Sequence, residues 1–552
     1  MLTISLTSSF ISFTLIKASM STAEKKIIES SSKVFFSGTV LSRLSGLLRD
    51  IFTAYAFGSS SAIAALMVAF RFSSLLRRLF GEGALHAAFV PAYEKIRLES
   101  KQKAGEFFIQ LSLLLALMLL IIIGVSELGL GSLLSWGALS ASSHQIVFLT
   151  MVLLPTLVFI CSSAFCGSLL QCHNYFFIPS VSPAIFNLFW ILGVFFLRKI
   201  PIDQAVFNLA LWIIAGVFFQ WILMLPQSLN LVKEFFSISL ITSYQRLKGS
   251  FQIVAKPLAL GIVGVSTTQI NSALDSIFAR YISLEGPAYL WYAIRIQQVP
   301  LALFGIAMAG AILAPLARAY NRGENDFLDL FIYSLSRAMG LLVPCFVALM
   351  VLGPFCVSLL YGRGNFTLFA AEQTTYSLWA YSLGLIPQGL ILIFAPFFYV
   401  KGKYYRTTRA SIISLLLNVV LNSFFAFVLK MPAWGVALAT AISSWVQVFY
   451  LSYFCFKSYS LKRFESFFKT SFEVLTGTLM SALLSYFVIV YFNPFITEKT
   501  LLYFPRNFHV QVMCFSLGTS IFLGFLFLIA YLFKLQEILA LLQYLPFVKR
   551  RY

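Results

Sequence analysis

Acidic residues are scarce in this 552-residue chain: 20 Asp and Glu stand against 40 Lys and Arg, which gives a formal net charge of +20. Charged residues make up only 11% of the chain, whereas 59% is hydrophobic and the mean hydropathy is +0.88. This balance excludes a soluble globular domain, and apolar runs of membrane-spanning length recur to the end of the sequence. The basic excess does not indicate nucleic-acid binding, because the lysines and arginines fall mostly in short loops between apolar runs.

Motifs for catalysis and cofactor binding are also missing from the sequence. The seven cysteines show no CxxC spacing and lie mostly in apolar runs, which favours buried thiols over a metal site or disulfides. The four histidines have no metal-ligand spacing, and no GxxxxGK[ST] phosphate loop occurs. No nucleophile–base pair or pair of carboxylates emerges either. The sequence therefore predicts a membrane protein that is not an enzyme, needs no bound cofactor and binds no nucleic acid.

The apolar runs predict an all-α polytopic membrane protein with about fourteen transmembrane helices. In chain order, these predicted spans lie near 32–57, 62–92, 106–130, 145–172, 178–198, 206–231, 252–282, 287–318, 328–361, 369–400, 408–430, 433–456, 469–492 and 510–535. The loops predicted on one side carry roughly seventeen basic residues, against about six on the other side. By the positive-inside rule, both termini lie in the cytoplasm. Residues 1–27 are interpreted as an N-terminal extension that includes a mis-assigned start or a disordered stretch before Met20, with an uncleaved interfacial segment as the alternative.

An internal repeat links the two halves of the chain. Ile51-Phe52-x-x-Tyr55 and Ala69-x-Arg71 recur, at offsets of 226 and 224 residues, as Ile277-Phe278-x-x-Tyr281 and Ala293-x-Arg295. Both copies start after an even number of spans, so the repeat is parallel, about an axis along the membrane normal. It predicts an N-lobe of spans 1–6 over residues 28–232, a C-lobe of spans 7–12 over 233–457, and spans 13–14 with a basic cytoplasmic tail over 458–552.

The first two predicted spans carry more charge than membrane helices usually tolerate. They contain five arginines and two acids: Arg43, Arg49, Arg71, Arg77, Arg78, Asp50 and Glu82. A charge at mid-membrane depth costs a few kcal/mol or more, so such residues usually face a water-filled cavity or a polar ligand. Two interpretations stay open: arginines near helix ends that extend to the interface, or an anion site inside a membrane protein.

Ordered motifs in these spans and beyond resemble a known family. They are Ser42-Arg43-x-x-Gly46-x-x-Arg49-Asp50, Leu75-Leu76-Arg77-Arg78-x-Phe80-x-Glu82-Gly83-Ala84, Ala88-Phe89-Val90-Pro91, Tyr292-Ala293-x-Arg295 with Pro300, Tyr361-Gly362 with Phe366-Thr367, and Tyr381-Ser382-x-Gly384-Leu385. From about residue 28 onward, the chain resembles the MurJ (MviN) family, the lipid II flippases of bacterial peptidoglycan synthesis. The resemblance implies the multidrug/oligosaccharidyl-lipid/polysaccharide exporter fold: two six-helix lobes related by a pseudo-twofold around a central cavity, plus two extra C-terminal helices.

The resemblance also implies an anion site. In the family, arginines of the first, second and eighth helices line the cavity and hold the diphosphate of the substrate. By position these residues are Arg43, Arg49, Arg77 and Arg295, with Ser42 beside them. Guanidinium stays protonated and offers paired donors to phosphate oxygens. Arg43 and Arg49 lie about 120° apart around a straight helix, so a shared site must be broad or the helix must bend, for example at Gly46.

A cation site is implied in the same way, because some relatives resemble sodium-coupled carriers. The matching oxygen ligands are Asp275, Asn418, Asn422, the backbone oxygen of Val436, and Thr440. Asn418/Asn422 and Val436/Thr440 are each spaced i, i+4, which places each pair on one helix face, and hard cations take such oxygen ligands. The alternative is that the asparagines form hydrogen bonds between helices. Asn422 stands where some relatives carry an acid, so sodium as the coupling ion stays an open question.

The function implied by the resemblance is flipping of the undecaprenyl-diphosphate-linked precursor lipid II from the inner to the outer leaflet of the bacterial cytoplasmic membrane, by alternating access. The expected partners are lipid II, membrane lipids and other cell-wall synthesis proteins. The alternatives are an exporter of another polyprenyl-diphosphate-linked oligosaccharide and a drug or cation antiporter of the same fold. The excess of arginine argues against the antiporter, and a membrane scaffold without transport would leave the arginines unexplained.

Overall fold

In the computed structural model, the described residues are 22–80, 84–137, 139–235, 266–491 and 507–539. The predicted N-terminal extension lies mostly outside them, as do Glu82 and the basic C-terminal tail. Within these ranges the chain forms helices and no strands. Contacts between residues divide the chain into two compact units, and the division falls between Arg280 and Tyr281 in the sequence.

The first unit is built from consecutive helices joined by short turns. They are α1 Thr22–Phe57, α2 Ser61–Phe80, α3 Ala84–Glu99, α4 Lys101–Ser135, α5 Ala141–Leu153, α6 Thr156–Cys172, α7 Phe177–Leu197, α8 Ile202–Val232 and α9 over residues 266–282, which ends at the boundary of the unit. Gly58 allows the turn after α1, where its φ is +61°. Pro155 separates α5 from α6 with a bend of 44°, because proline lacks an amide donor and clashes with the preceding helical turn.

The second unit continues the all-helical pattern. Its helices are α10 Gly286–Pro300, α11 Ala307–Arg322, α12 Glu324–Tyr361, α13 Leu368–Ser382, α14 Leu385–Val400, α15 Tyr404–Ser423, α16 Trp434–Ser458, α17 Glu465–Tyr491, α18 Phe508–Leu532 and the short α19 Gln536–Leu539. A π-helical segment, Leu301–Ile306, follows Pro300 and joins α10 to α11. A second one, Phe424–Val428, extends α15.

Each of the fourteen predicted spans corresponds to a helix or a helix pair among the described residues. By length and composition, 10 of these are apolar enough to cross a membrane, or 11 if the bent pair α5–α6 counts as one span. The others are α1, which is long but more polar, α2, whose apolar part ends at Leu75, and α9, which is described only from residue 266. The prediction of an all-α polytopic membrane protein is confirmed.

Two sets of helix contacts position the candidate residues. In the first unit, α7 packs against both α1 and α8, and α2 packs against α5. In the second unit, α15 packs against α16 and α10 against α13, while α17 and α18 pack against each other and against α12.

Contacts group most of α9 with the helices of spans 1–6. The predicted lobe boundary at residue 232, which rests on the repeat, stays a prediction.

Candidate functional site

Asn187 of α7 connects three residues of the charged stretch of α1. Its Nδ2 donates to the backbone oxygen of Ser42 at 3.2 Å and to Ser45 Oγ at 2.9 Å. Its Oδ1 accepts a hydrogen bond from Arg49 Nη1 at 3.1 Å. Because Asn187 is only 5% exposed, these bonds form away from water, where an unpaired polar group would be costly. Asn187 therefore holds the segment from Ser42 to Arg49 against α7.

Arg49 is buried within the first unit and bound to its neighbour. Its Nε and Nη2 donate to Asp50 Oδ1 at 3.0 and 2.8 Å, and the two residues are 5% and 3% exposed. The guanidinium carbon lies 4.7 Å from the centre of the Trp190 ring, which favours the cation further. In this conformation, the donors of Arg49 are directed to Asp50 and Asn187.

Arg43 is in a different environment from Arg49. Its side chain is exposed, and among the described residues it makes no hydrogen bond or ion pair. Ser42, beside it, is half-buried, and its backbone oxygen also accepts from Ser45 Oγ at 2.8 Å. The helix runs through Gly46 without a break, so Arg43 and Arg49 occupy different faces, as an angle of about 120° requires.

The arginines of α2 follow one another toward its end. Arg77 and Arg78 lie in the last turn, where the helix dipole favours positive charge; Arg77 is half-buried and Arg78 exposed. Arg71 is bound one helix away, because its Nη1 donates to the backbone oxygen and the hydroxyl of Ser272 on α9 at 3.2 and 3.0 Å. Arg71 is therefore held by a neighbouring helix rather than extended to an interface.

Arg295 lies in α10 of the second unit. It is half-buried, and its guanidinium carbon is 4.6 Å from the centre of the Trp291 ring. One turn of helix around it is tightly packed, with Tyr292 fully buried and Gln297 bonded through Nε2 to Gln388 Oε1 at 3.1 Å. The buried neighbours fix the backbone from which Arg295 projects.

Four of the residues predicted for the cation site come together between α15 and α16. Asn422 Nδ2 donates to Asn418 Oδ1 at 2.8 Å, and Asn418 Nδ2 donates to Thr440 Oγ1 at 3.2 Å. Thr440 in turn donates to the backbone oxygen of Val436 at 3.2 Å. Both asparagines are completely buried. The chain of hydrogen bonds joins the two helices, and its amide, hydroxyl and carbonyl oxygens are ligand types that a hard cation accepts.

The fifth predicted ligand, Asp275, lies on α9 in the first unit. It is 3% exposed and accepts a hydrogen bond from Asn271 Nδ2, one turn earlier, at 3.4 Å. A buried carboxylate in an apolar span is costly unless it is paired or bound, and the hydrogen bond from Asn271 is one such contact.

Lys401, after α14, is enclosed rather than exposed to lipid head groups. Its ammonium lies 4.4 Å from the centre of the Tyr459 ring and 5.1 Å from that of Phe397, contacts the Tyr459 hydroxyl, and lies 3.6 Å from Glu324 Oε1. Burial lowers the pKa of Lys401, while Glu324 opposes that change. Lys401 therefore has a structural role, in the contact between the end of α14, Tyr459 and Glu324.

Sequence analysis missed Asn187, although it occupies the middle of an apolar helix. An amide in such a helix is a signal, because it must find hydrogen-bond partners on other helices. Asn187 carries no charge, and its partners Ser42 and Arg49 are more than 130 residues away in the chain, so no local pattern joins them.

A family model described as "Lipid II flippase MurJ" matches residues 53–506. The chain belongs to the MurJ family. The matched residues include Arg77, Arg295 and the cation-site residues, whereas Ser42, Arg43 and Arg49 precede them. The family is one of transporters, so the prediction that the chain is not an enzyme is confirmed.

Individual relatives extend the similarity beyond the matched residues. This MurJ-family chain is 30% identical to the "Probable lipid II flippase MurJ" of Chlamydia muridarum (strain MoPn / Nigg) over 516 residues, which cover 92% of this chain and 94% of that protein. It is 30% identical to the protein of the same description from Vibrio cholerae serotype O1 over 425 residues, which cover 74% and 79%.

Solved structures agree on the fold. A structure titled "Lipid II flippase MurJ, inward closed conformation" matches with a TM-score of 0.69 and 23% identity, over 88% of this chain and 98% of that one. An inward-facing multidrug resistance MATE family transporter matches with a TM-score of 0.62 and 16% identity, over 79% and 99%. At these identities the likeness shows a shared fold, which the MurJ-family chain has in common with drug transporters.

Proposed function

We propose that this chain moves lipid II from the inner to the outer leaflet of the bacterial cytoplasmic membrane by alternating access. The observation that carries this proposal is the family match over residues 53–506, supported by relatives described as probable lipid II flippases. In the proposed topology both termini are cytoplasmic, so the loops after odd-numbered spans face outward.

The arginines supply the chemistry that a diphosphate requires. Arg43, exposed and making no hydrogen bond or ion pair among the residues described, can direct its donors to phosphate oxygens. Arg77 and Arg295 are the proposed partners from the second and eighth spans. Arg49 stays a predicted ligand, but its bonds to Asp50 and Asn187 give it a second role, in fixing the α1 segment from which Arg43 projects.

The driving force is proposed to come from the membrane. Outward movement of negative charge is favoured by an inside-negative potential, by about 2.3 kcal/mol per charge per 100 mV. Sodium is the proposed coupling ion, held by oxygens of Asn418, Asn422, Val436 and Thr440, with Asp275 as the predicted carboxylate. Bound there, sodium would supply positive charge among neutral oxygens, while the side chains would keep α15 and α16 in register.

The test is replacement of a depleted cell's own lipid II flippase by this chain. The proposal predicts that growth is restored and that lipid II reaches the outer leaflet, measured by its accessibility to an externally added lipid II-cleaving enzyme. Restored export of a different polyprenyl-diphosphate oligosaccharide, with lipid II retained inside, would favour the alternative exporter. Resistance to cationic drugs without lipid II movement would favour the antiporter.

A further inference from the structure

Arg280 joins three helices at one end of the first unit. It lies near the end of α9, and it is only 8% exposed. Its Nη1 donates to the backbone oxygen of Ser61, the first residue of α2, at 2.6 Å. Its Nε donates to Ser142 Oγ, in the first turn of α5, at 2.9 Å. The planar fork of one guanidinium therefore binds the starts of two helices at once, through acceptors that are both neutral.

The contact between α2 and α9 continues away from Arg280. Arg71 bonds to Ser272 in the middle, and Arg78 Nη1 donates to Gln269 Oε1 at 3.3 Å farther along. The order of these contacts shows that α2 and α9 run antiparallel, with Arg280 at the start of α2 and Arg78 near its end.

Burial differs between the two ends of this contact. From Ala62 to Ala69, next to Ser61, every residue of α2 is at most 2% exposed. Arg78, at the opposite end, is exposed. In this conformation, α2 is therefore buried beside Arg280 and becomes exposed at Arg78, although both ends of α2 are hydrogen-bonded to α9.

We propose that Arg280 keeps the outward side of the protein closed by holding the end of α9 against the starts of α2 and α5. This set of hydrogen bonds is called the latch below. This inference rests on the proposed function, alternating access, and on the predicted lobes, in which α9 begins the C-lobe and moves with it against the N-lobe. The starts of spans 2 and 4 and the end of span 7 then face outward, and opening must separate Arg280 from Ser61 and Ser142. Arg280 is a positioning residue, because it acts on the conformation and touches no substrate.

Accessibility of a cysteine tests the latch directly. Ser276 lies one turn before Arg280 on α9 and is 2% exposed, so a Ser276→Cys chain should react slowly with a membrane-impermeant maleimide added outside cells. Adding Arg280→Gln should raise the labelling rate about tenfold, equivalent to about 1.4 kcal/mol in favour of the open state. The control is Arg198→Gln, which removes an exposed arginine from the same proposed side, where it contacts only the Phe195 ring among the described residues.

Two milder variants distinguish the effect of the hydrogen bonds of Arg280 from the effect of its charge. Arg280→Lys keeps the charge without the fork and should give an intermediate rate, and Ser142→Ala, which removes one acceptor, should give a smaller increase. If Arg280→Gln does not accumulate in the membrane, the labelling rates of these two variants test the proposal instead. Equal labelling in all of these chains and the Arg198→Gln control would overturn the latch. Labelling requires no lipid II, so faster labelling in a chain that fails to replace the flippase would support the latch while overturning the proposed substrate.

Discussion

Arg49 and Asp50, adjacent residues of α1, form an ion pair at 2.8 Å in which both side chains are almost completely buried. Arg49 also donates a hydrogen bond to Asn187 of α7, and its guanidinium lies against the Trp190 ring. One of the five arginines of the first two spans is thus neutralised within its own helix. Of the two arginines of α1, Arg43 lies on another face and is the one that remains available to an anion.

Loss of the Asp50 carboxylate should destabilise the first unit. We expect Asp50→Asn to lower the free energy of unfolding by about 3–5 kcal/mol, because breaking a buried pair leaves an uncompensated charge on Arg49. The measurement is thermal unfolding of the purified protein in detergent. Asp203→Asn, at the exposed start of α8, is the matched control and should unfold like the parent.

Replacing both Arg49 and Asp50 distinguishes a structural role of Arg49 from a role in substrate binding. The double change Arg49→Met with Asp50→Leu removes both charges and should recover most of the lost stability. If Arg49 also binds diphosphate, this stable chain should not restore growth to flippase-depleted cells. Normal growth would assign Arg49 a purely structural role, and unchanged stability of Asp50→Asn would contradict the importance of the pair.

Asn187 should matter for transport although it carries no charge. Asn187→Leu removes the hydrogen bonds to Ser42, Ser45 and Arg49, and we expect a loss of about 1–3 kcal/mol in stability, the usual cost of leaving a buried polar group unpaired. The rate of lipid II flipping should fall as well, since Arg43 is held less firmly. Asn208→Leu, near the start of α8, is the control. A fully active and equally stable Asn187→Leu chain would contradict the positioning role.

The helices and the charged stretch could be predicted from the sequence, because apolar runs and inserted arginines are local signals. The pairing of Arg49 with Asp50 could not, because neighbouring residues point about 100° apart on a helix and only a long, flexible side chain closes that gap. Asn187 and Arg280 were missed for another reason. Their partners lie 138 or more residues away, so only tertiary packing brings them together.

Sodium should bind through α15 and α16 if the oxygen cluster is a cation site. We expect sodium, but not choline at equal ionic strength, to raise the unfolding temperature of the purified protein. Asn418→Leu should abolish this shift by removing an oxygen and breaking the bond to Thr440. Ser423→Ala, whose hydroxyl bonds only within its own helix among the described residues, should keep it. If sodium does not change the unfolding temperature of the parent, the cation site is contradicted, and the asparagines serve to form hydrogen bonds between α15 and α16.

The measurement that tests the central claim most directly is the appearance of lipid II in the outer leaflet of flippase-depleted cells that express Arg43→Ala or Arg295→Ala. Both variants should reach the membrane at the parent's level, yet lower lipid II exposure at least about tenfold, because a lost charge-assisted bond is worth about 1.5–3 kcal/mol. Arg198→Ala should behave like the parent. Normal growth and parental lipid II exposure in cells that depend on Arg43→Ala would contradict the diphosphate role of the arginines.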